Sequence, residues 1–321
     1  MVFEYNYKNL PLYAYNKHLA TIVPSIFRKV NGIEYLRERL ILKDNDFLDI
    51  DVVYNKNNKA VILSHGLEGN SEKSYIKGTA KLFLENGWDI IAWNCRSCSG
   101  EMNKAKRIYH HGEVEDIGEV VDWAVVKNQY KSIGLIGFSM GGVINTKYIA
   151  TQKANLSDKL TFNIAVSTPC DLEACALTLD QKNNFIYKRK FFKSLKDKLM
   201  LKADQYPGMI DTDLLQRIKY WRDFDEHFSA GMNGFANRRA FYQQATLNNF
   251  LEDVTIPTLI LNAANDPLIP IESNPSSIAK SNKMLQVEIT KYGGHCGYSL
   301  RKDEYTYAER SALRFAEGSV G

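Results

Sequence analysis

The chain has 321 residues, of which 45% are hydrophobic, and a formal net charge of +4 at pH 7. This length and composition suit one large α/β domain, or a core domain with an insertion, and exclude a disordered chain. No stretch approaches the ~18 consecutive apolar residues of a membrane-spanning helix, and residues 1–10 are too polar for a signal peptide, so we expect a cytoplasmic protein.

The first half of the chain alternates short strands with helices. Residues 11–30 predict a short helix and a turn containing Pro24, and two antiparallel strands follow at Glu34–Leu42 and Asp46–Tyr54. The next predicted elements, in order, are strand Lys59–Ser64, helix Glu72–Asn86, strand Asp89–Asn94, helix Val114–Val126 and strand Ser132–Phe138. This alternation predicts a mostly parallel central sheet flanked by helices.

The loop predicted at Cys95–Gly112 contains cysteines and histidines that could act as ligands. Cys95 and Cys98 have a spacing that also occurs at zinc sites, but no second pair accompanies them, so we interpret them as part of a structural loop. The odd total of five cysteines favours a reducing compartment over a disulfide framework. His110 and His111 are interpreted as structural, with a position at the pocket edge as the alternative. No metal or cofactor site is predicted.

Strand Ser132–Phe138 runs into the motif Gly137-Phe-Ser139-Met-Gly141 and then into a helix that extends to Gln152. A Gly-x-Ser-x-Gly motif between a strand and a helix is typical of a nucleophile elbow, a strained turn that exposes the serine hydroxyl. Glycine is required on both sides because a Cβ there would collide across so tight a turn. We therefore predict Ser139 as a catalytic nucleophile, and the alternative is a glycine-rich turn with an idle serine.

After the elbow the pattern changes from alternating strands and helices to helices alone, over residues 171–250. The elements outside this stretch are strands Thr161–Ser167, Pro257–Asn262 and Leu285–Lys291 and the closing helix Asp303–Glu317. We therefore predict a core of residues 1–170 and 251–321, with a helical lid of residues 171–250 inserted between its halves.

A catalytic serine needs a base to take its proton and an acid to orient that base. The loop after the next-to-last strand offers Asp266, and the loop after the last strand offers His295, the only histidine C-terminal to Asp266. Both loops follow strand ends on the edge of the sheet that carries Ser139. Asp253 would lie at the wrong end of its strand and Glu272 beyond two prolines, so Asp266 is the preferred acid.

A glycine-flanked loop follows the strand that ends at Ser64. The backbone N–H of Leu67, the residue after His65-Gly66, is expected to donate to the oxyanion formed during acyl transfer, together with the N–H of Met140. The ring of His65 is interpreted as holding this loop in place rather than as a catalytic group.

These residues resemble the YheT-like branch of the α/β-hydrolase superfamily over nearly the whole chain. The similar segments are Asn16–Pro24, His65–Gly69, Asn94–Gly100, Tyr109–His110, Gly137–Gly142, Phe224–Ser229 and Gly294–Tyr298. Ala20 stands where glutamine is usual, and Ser97 stands where glycine is usual. The resemblance implies the α/β-hydrolase fold and carboxylic-ester hydrolysis through Ser139, Asp266 and His295.

The segment Phe185–Lys202 interleaves apolar side chains with basic ones, and its part Tyr187–Lys202 carries a local net charge of +6. Our preferred interpretation is an amphipathic lid helix with a solvated basic face. The alternative is an interfacial helix that makes a peripheral contact with anionic lipid. One basic run without a recognised motif does not indicate nucleic-acid binding.

Taken as a set, these features predict a serine hydrolase that acts on small-molecule esters or acyl lipids through an acyl-enzyme and without a cofactor. Acyl transfer to an alcohol or a thiol would use the same three residues and stays open as an alternative. A non-catalytic ligand-binding protein on this fold would be expected to lack part of the triad and is the least favoured interpretation.

Overall fold

The computed structural model of the chain describes residues 2–127, 130–275 and 278–320. Within these ranges, nine strands form one sheet, in the order β1-β9-β8-β7-β6-β4-β5-β3-β2. The strands are β1 Val2–Tyr5, β2 Leu36–Ile41, β3 Phe47–Val53, β4 Lys59–Ser64, β5 Asp89–Trp93, β6 Ser132–Phe138, β7 Leu160–Val166, β8 Thr258–Ala263 and β9 Leu285–Thr290.

The sheet is mostly parallel, as the sequence predicts. Strand β3 runs antiparallel to β2 and β5, and the other neighbouring strands are paired in parallel. The sequence analysis does not predict β1, which pairs with β9 at the sheet edge, because a strand of 4 residues is too short to show a periodic signal.

Helices cover both faces of the sheet. They are α1 Lys17–Phe27, α2 Ser74–Glu85, α3 Glu115–Lys127, α4 Met140–Gln152, α5 Leu172–Leu179, α6 Phe185–Gln205, α7 Thr212–Arg217, α8 Trp221–Phe224, α9 Arg238–Ala245, α10 Ile278–Ser281 and α11 Tyr307–Ser319. On one face, α2 and α11 contribute residues such as Phe83 and Ala312 to an apolar core. On the other face, α3 and α4 contribute residues such as Val120 and Val143.

Two observed helices differ from the predicted ones in where the helix begins or continues. Pro24 lies inside α1 and not in a turn, since the helix continues to Phe27. The last helix begins at Tyr307 and not at Asp303. Its start is set by a capping box, in which the Thr306 hydroxyl accepts the Glu309 N–H and the Glu309 carboxylate accepts the Thr306 N–H.

Between β7 and β8 the chain forms a helical insertion, residues 171–250, that contains α5 to α9. The insertion has an apolar core of its own, built around residues such as Trp221 and Phe224. Leu67 and Leu268, from the loops after β4 and β8, pack against this core. The insertion therefore covers the ends of these strands, and its description as a lid stays a prediction. Among the described residues, no helix combines the length and apolar character needed to cross a bilayer.

A carboxyl group is buried inside this insertion, in a π-helical turn that spans Asp225–Ala230. The Asp225 carboxyl accepts hydrogen bonds from Ser229 Oγ at 2.7 Å and from the Tyr242 hydroxyl at 2.8 Å. Burial raises the pKa of Asp225 to about 7, although both hydroxyl donors act in the opposite direction. Because this pKa is higher than that of an aspartate in the unfolded chain, protonation of Asp225 favours the folded state at low pH.

We expect Asp225→Asn to be better tolerated at high pH than at low pH. The protonated carboxyl contributes stability that is fully present below about pH 4 and is lost as the pH rises through about 7. The thermal unfolding midpoint of the variant, relative to wild type, should therefore be higher at pH 8 than at pH 5. The exposed Asp223→Asn serves as the control. An equal difference at both pH values for Asp225→Asn would contradict this prediction.

Candidate active site

The site is built around Ser139, which stands between β6 and α4. Its backbone has φ 53° and ψ −121°, and its N–H donates to Val166 O at 2.8 Å. A Cβ at Gly137 would lie 2.3 Å from Gly141 O, and a Cβ at Gly141 would lie 2.3 Å from Ser64 O. Because real Cβ atoms do not approach backbone so closely, both positions require glycine. The strained turn is thus held by close backbone packing on both sides of the serine.

The structure brings the three sequence-predicted side chains together. His295 Nε2 lies 3.0 Å from Ser139 Oγ, and His295 Nδ1 lies 2.8 Å from Asp266 Oδ2. The second carboxylate oxygen of Asp266 accepts the backbone N–H of Leu268 at 2.7 Å and that of Ile269 at 3.2 Å. These bonds assign the Nδ1–H tautomer to the neutral imidazole, with Nε2 facing the serine hydroxyl.

The alternative acids lie elsewhere. Asp253 precedes β8 and forms an ion pair with Lys153 at 2.9 Å. Glu272 is exposed in a 3-10 turn that spans Ile271–Ser273. Among the described residues, the carboxylate that pairs with His295 is that of Asp266.

The charge state of His295 is set by two opposing effects. Burial by itself lowers the pKa of His295, but the neighbouring Asp266 carboxylate raises it, and the pKa lies well above its usual value. A carboxylate against Nδ1–H stabilises an imidazolium and fixes the orientation of the ring. The arrangement can therefore take a proton from Ser139 and hold the positive charge that results.

The N-terminal arm supports the histidine loop, a role that the sequence analysis did not assign to it. Thr21 Oγ1 accepts the backbone N–H of His295 at 2.9 Å. A Cβ at Gly297 would lie 2.1 Å from Ala20 O, so α1 and the histidine loop are in close backbone contact. Proline at position 24 contributes to this contact because it has no N–H to bond the carbonyl of Ala20 four residues earlier. The sequence feature that could have indicated this role is the segment Asn16–Pro24, which resembles the family.

The loop that contains Leu67, one of the two expected oxyanion donors, lies directly against Ser139. A Cβ at Gly66 would lie 3.0 Å from the Cβ of Ser139. The buried ring of His65 holds this loop, since its Nδ1 lies 2.7 Å from Gly66 O and its Nε2 accepts the Cys95 N–H at 3.0 Å. Burial lowers the pKa of His65 to about 4 and keeps the ring neutral. Both ring nitrogens are thus engaged by backbone, and Leu67 follows directly on this held turn.

The next residue, Glu68, connects the same loop to the helical insertion. Its φ is 55°, in the left-handed region, and its N–H donates to the Tyr109 hydroxyl at 3.0 Å. Its carboxylate accepts the Lys198 ammonium at 2.9 Å and also accepts the hydroxyls of Tyr109 and Ser194. Ser194 and Lys198 belong to α6, so the covering helix is bonded to the residue next to Leu67.

A cavity of about 60 Å³ opens at Ser139 and His295. Most of its lining is apolar and comes from the insertion and the strand-end loops: Leu67, Pro169, Leu172, Cys175, Ala176, Leu179, Phe191, Trp221, Leu268 and Ile269. His111 also lines it, which matches the alternative position at the pocket edge. His110 does not line it and instead accepts the Gly112 N–H at 3.0 Å. Burial lowers the pKa of each of these histidines to about 3.

Two other features were candidates for a site. Cys95 and Cys98 form a tight turn after β5, with the Cys98 N–H donating to Cys95 O at 2.9 Å. A larger cavity, about 490 Å³, lies beside Arg96, Arg107 and Asp116 and does not include Ser139. Its charged side chains pair with one another, Asp116 with Arg96 at 2.8 Å and with Arg107 at 3.0 Å. A choice of site by cavity volume alone would therefore select this cavity and not the one at Ser139.

Comparison with known proteins agrees with this geometry. A family model described as alpha/beta hydrolase fold matches residues 59–301 of the chain. The putative esterase YheT of Escherichia coli is 29% identical over 291 residues, which cover 88% of this chain and 84% of that protein. Phospholipase ABHD3 of Mus musculus is 28% identical over 304 residues, covering 90% of this chain and 72% of that protein.

Among solved structures, the Pyrococcus furiosus esterase Pf2001 superposes with a TM-score of 0.59 at 16% identity. The superposition covers 92% of this chain and 97% of that one. At this level of identity the likeness shows the fold, while the two sequence relatives carry the names esterase and phospholipase. The expected fold and the resemblance to the YheT-like branch are confirmed.

Proposed function

The chain belongs to the α/β-hydrolase family, and we propose that it cleaves carboxylic esters through a triad of Ser139, His295 and Asp266. The observation that carries this proposal is the hydrogen-bonded path from Ser139 Oγ through both ring nitrogens of His295 to the Asp266 carboxylate. The three side chains come from three separate loops, after β6, β8 and β9. Such a path, ending on a hydroxyl in a strained turn beside a cavity, is what acyl transfer requires.

In the proposed reaction, His295 Nε2 takes the proton of the Ser139 hydroxyl as its oxygen attacks the ester carbonyl. Asp266 stabilises the imidazolium that forms, and the backbone N–H groups of Leu67 and Met140 donate to the oxyanion of the tetrahedral intermediate. His295 then gives the proton to the departing alcohol, leaving an acyl group on Ser139. Water, activated by the same imidazole, releases the acid and restores the enzyme.

The proposed substrates are small-molecule esters with an acyl or lipid-like portion. An apolar lining suits an acyl group, and the relatives carry the names esterase and phospholipase. The cavity of about 60 Å³ is small for a long acyl chain. Short acyl groups therefore fit it best, and we propose that the helical insertion, residues 171–250, moves as a lid to admit a longer chain.

We place the reaction in a reducing compartment, the cytoplasm. All five cysteines carry free thiols. Cys95, Cys98, Cys170 and Cys175 are buried, and burial raises the pKa of each of these thiols, which keeps them protonated and unreactive. The proposed chemistry involves no cysteine and no cofactor.

The first test is hydrolysis of p-nitrophenyl esters with acyl chains from two to sixteen carbons, by wild type and Ser139→Ala. We expect the variant to lose on the order of 10⁶ in kcat, because the nucleophile and its base act as one unit. A serine-directed fluorophosphonate should label wild type and not the variant. The exposed Ser25→Ala is the matched control and should keep both labelling and turnover.

Three outcomes would count against the proposal. Turnover that survives in Ser139→Ala would exclude this nucleophile. An ester product in place of the free acid, when ethanol is added, would favour acyl transfer over hydrolysis. Absence of both labelling and turnover in wild type would favour a non-catalytic binding protein.

The pH dependence of kcat/KM tests the role of Asp266. On a neutral ester, activity should rise as His295 loses its proton, with an inflection above the ordinary imidazole value of about 6.5, because Asp266 raises the pKa of His295. In Asp266→Asn the inflection should move to lower pH, and kcat should fall by about 10⁴-fold, as in a comparable serine-protease triad. Asp253→Asn should leave the profile unchanged. An unmoved inflection in Asp266→Asn would contradict the assignment.

Glu68→Gln tests whether the bonds between α6 and the oxyanion loop position the N–H of Leu67. We expect kcat to fall roughly 10-fold with little change in KM, less than the ~10²–10³ lost when an oxyanion donor is removed outright. Glu72→Gln is the matched control, since Glu72 lies in the same loop region and pairs with Lys77 at 2.8 Å in an exposed position. A lower unfolding midpoint with unchanged kcat would mean that Glu68 is only structural.

A further inference from the structure

The first helix of the chain presents its large apolar side chains to solvent. Its buried residues are small, Ala20, Thr21 and Pro24, and they face the histidine loop. The exposed apolar residues of the arm are Leu12 at 90% exposure, Ile26 at 63% and Phe27 at 71%, together with Tyr15 and Leu19. We call this set the arm stripe.

Helical geometry places Leu19 and Ile26 on the side of α1 opposite Thr21 and Pro24, while Phe27 points between these sides. At about 100° per residue, Leu19 and Ile26 point in nearly the same direction, with the half-buried Val23 beside them. Ala20, Thr21 and Pro24 point away from that direction. The helix therefore exposes large apolar side chains on the side away from the histidine loop, while Ile22 packs against the core of the insertion. A contiguous exposed apolar patch of this kind marks an interaction surface.

The arm stripe continues onto the first turn of α6. His18 Nδ1 lies 3.2 Å from the Tyr187 hydroxyl, and the two rings stack with centroids 5.8 Å apart. Directly before Tyr187, Phe185 is 58% exposed and Ile186 is also exposed. The rest of the apolar side of α6 is not available, because Phe192, Leu195 and Leu199 are buried in the insertion. The available surface of α6 is thus its first turn and its basic face.

The two chain segments that form this surface are rich in cationic residues. Residues 6–33 contain four cationic residues and no acidic one, and residues 181–193 contain five cationic residues and no acidic one. Arg28 pairs with Glu309 and Lys188 pairs with Asp180. On α6, the exposed cations Arg189, Lys190 and Lys193 lie three, four and seven residues after the exposed Ile186 and therefore on the same face of the helix.

We propose that the arm stripe and the first turn of α6 dock on an anionic lipid bilayer. Large apolar side chains flanked by lysine and arginine are the chemistry of a helix lying in the headgroup region, and anionic headgroups attract the flanking cations. A second copy of the chain fits less well, because a twofold interface would bring two sets of like charges together. The proposal does not depend on the chemistry at Ser139.

The surface is built on the two elements that also reach the site. The α1 helix holds the His295 N–H through Thr21, and α6 contributes Phe191 to the cavity. A bilayer that contacts this surface would therefore lie against two elements that contribute to the site.

The test is vesicle flotation of the full chain at low salt, with phosphatidylcholine vesicles containing 30% phosphatidylglycerol and with pure phosphatidylcholine. Wild type should float with the anionic vesicles and much less with the neutral ones. Leu19→Ser/Ile26→Ser should reduce the bound fraction at least 10-fold. The matched control Ile41→Ser/Val126→Ser removes equally exposed apolar side chains from other surfaces and should bind like wild type.

Hydrolysis of a water-soluble short-chain ester should be unchanged in Leu19→Ser/Ile26→Ser, so a failure to dock is separable from a failure of the proposed catalysis. No flotation of wild type with anionic vesicles would overturn the proposal, as would equal loss in the test and control variants. A wild-type dimer that Leu19→Ser/Ile26→Ser converts to a monomer, seen by light scattering without vesicle binding, would assign the stripe to self-association.

Discussion

The close packing of the backbone around Ser139 is the constraint on which the rest of the site depends. A left-handed φ of 53° is costly for a residue with a Cβ, and it persists only where the surroundings hold it. In this turn, Gly137 packs against Gly141, and Gly141 packs against Ser64. These contacts keep the turn in place and bring β4, β6 and α4 together without side chains between them. Because β4 also leads into the loop of Leu67, the same packing brings the loop of this proposed oxyanion donor beside Ser139.

Positions that follow from local sequence could be predicted, and positions that depend on distant contacts could not. The glycines around Ser139 form a local motif. Asp266 and His295 each follow a short stretch that predicts a strand. Thr21 bonds to a residue 274 positions away and Glu68 to residues up to 130 positions away, so no window of sequence shows either bond. Strand β1 was not predicted because it is short and because its strand partner among the described residues, β9, lies near the other end of the chain.

The two sides of α1 face different surroundings. Within α1, the small side chains allow the close approach to Gly294 and Gly297 that fixes the histidine loop. A larger residue at Ala20 would meet that backbone, so this side of the helix is limited to small residues. Exposing large apolar residues to water brings no gain in stability, because they are not removed from water on folding. The bilayer docking that we propose would give Leu19 and Ile26 a role outside the folded chain.

The docking and the lid movement that we propose both involve α6. Near an anionic surface each lysine or arginine contributes about 1 kcal/mol, and Arg189, Lys190 and Lys193 are exposed on this helix. The charge-assisted bond from Lys198 to Glu68 contributes about 1.5–3 kcal/mol to holding the same helix in place. Buried Lys202, which donates to Asn103 O and Ala105 O, adds to this hold, so the attraction of three cations to a bilayer would offset only part of it. In this proposal, a long acyl chain would enter at the surface that supplies it.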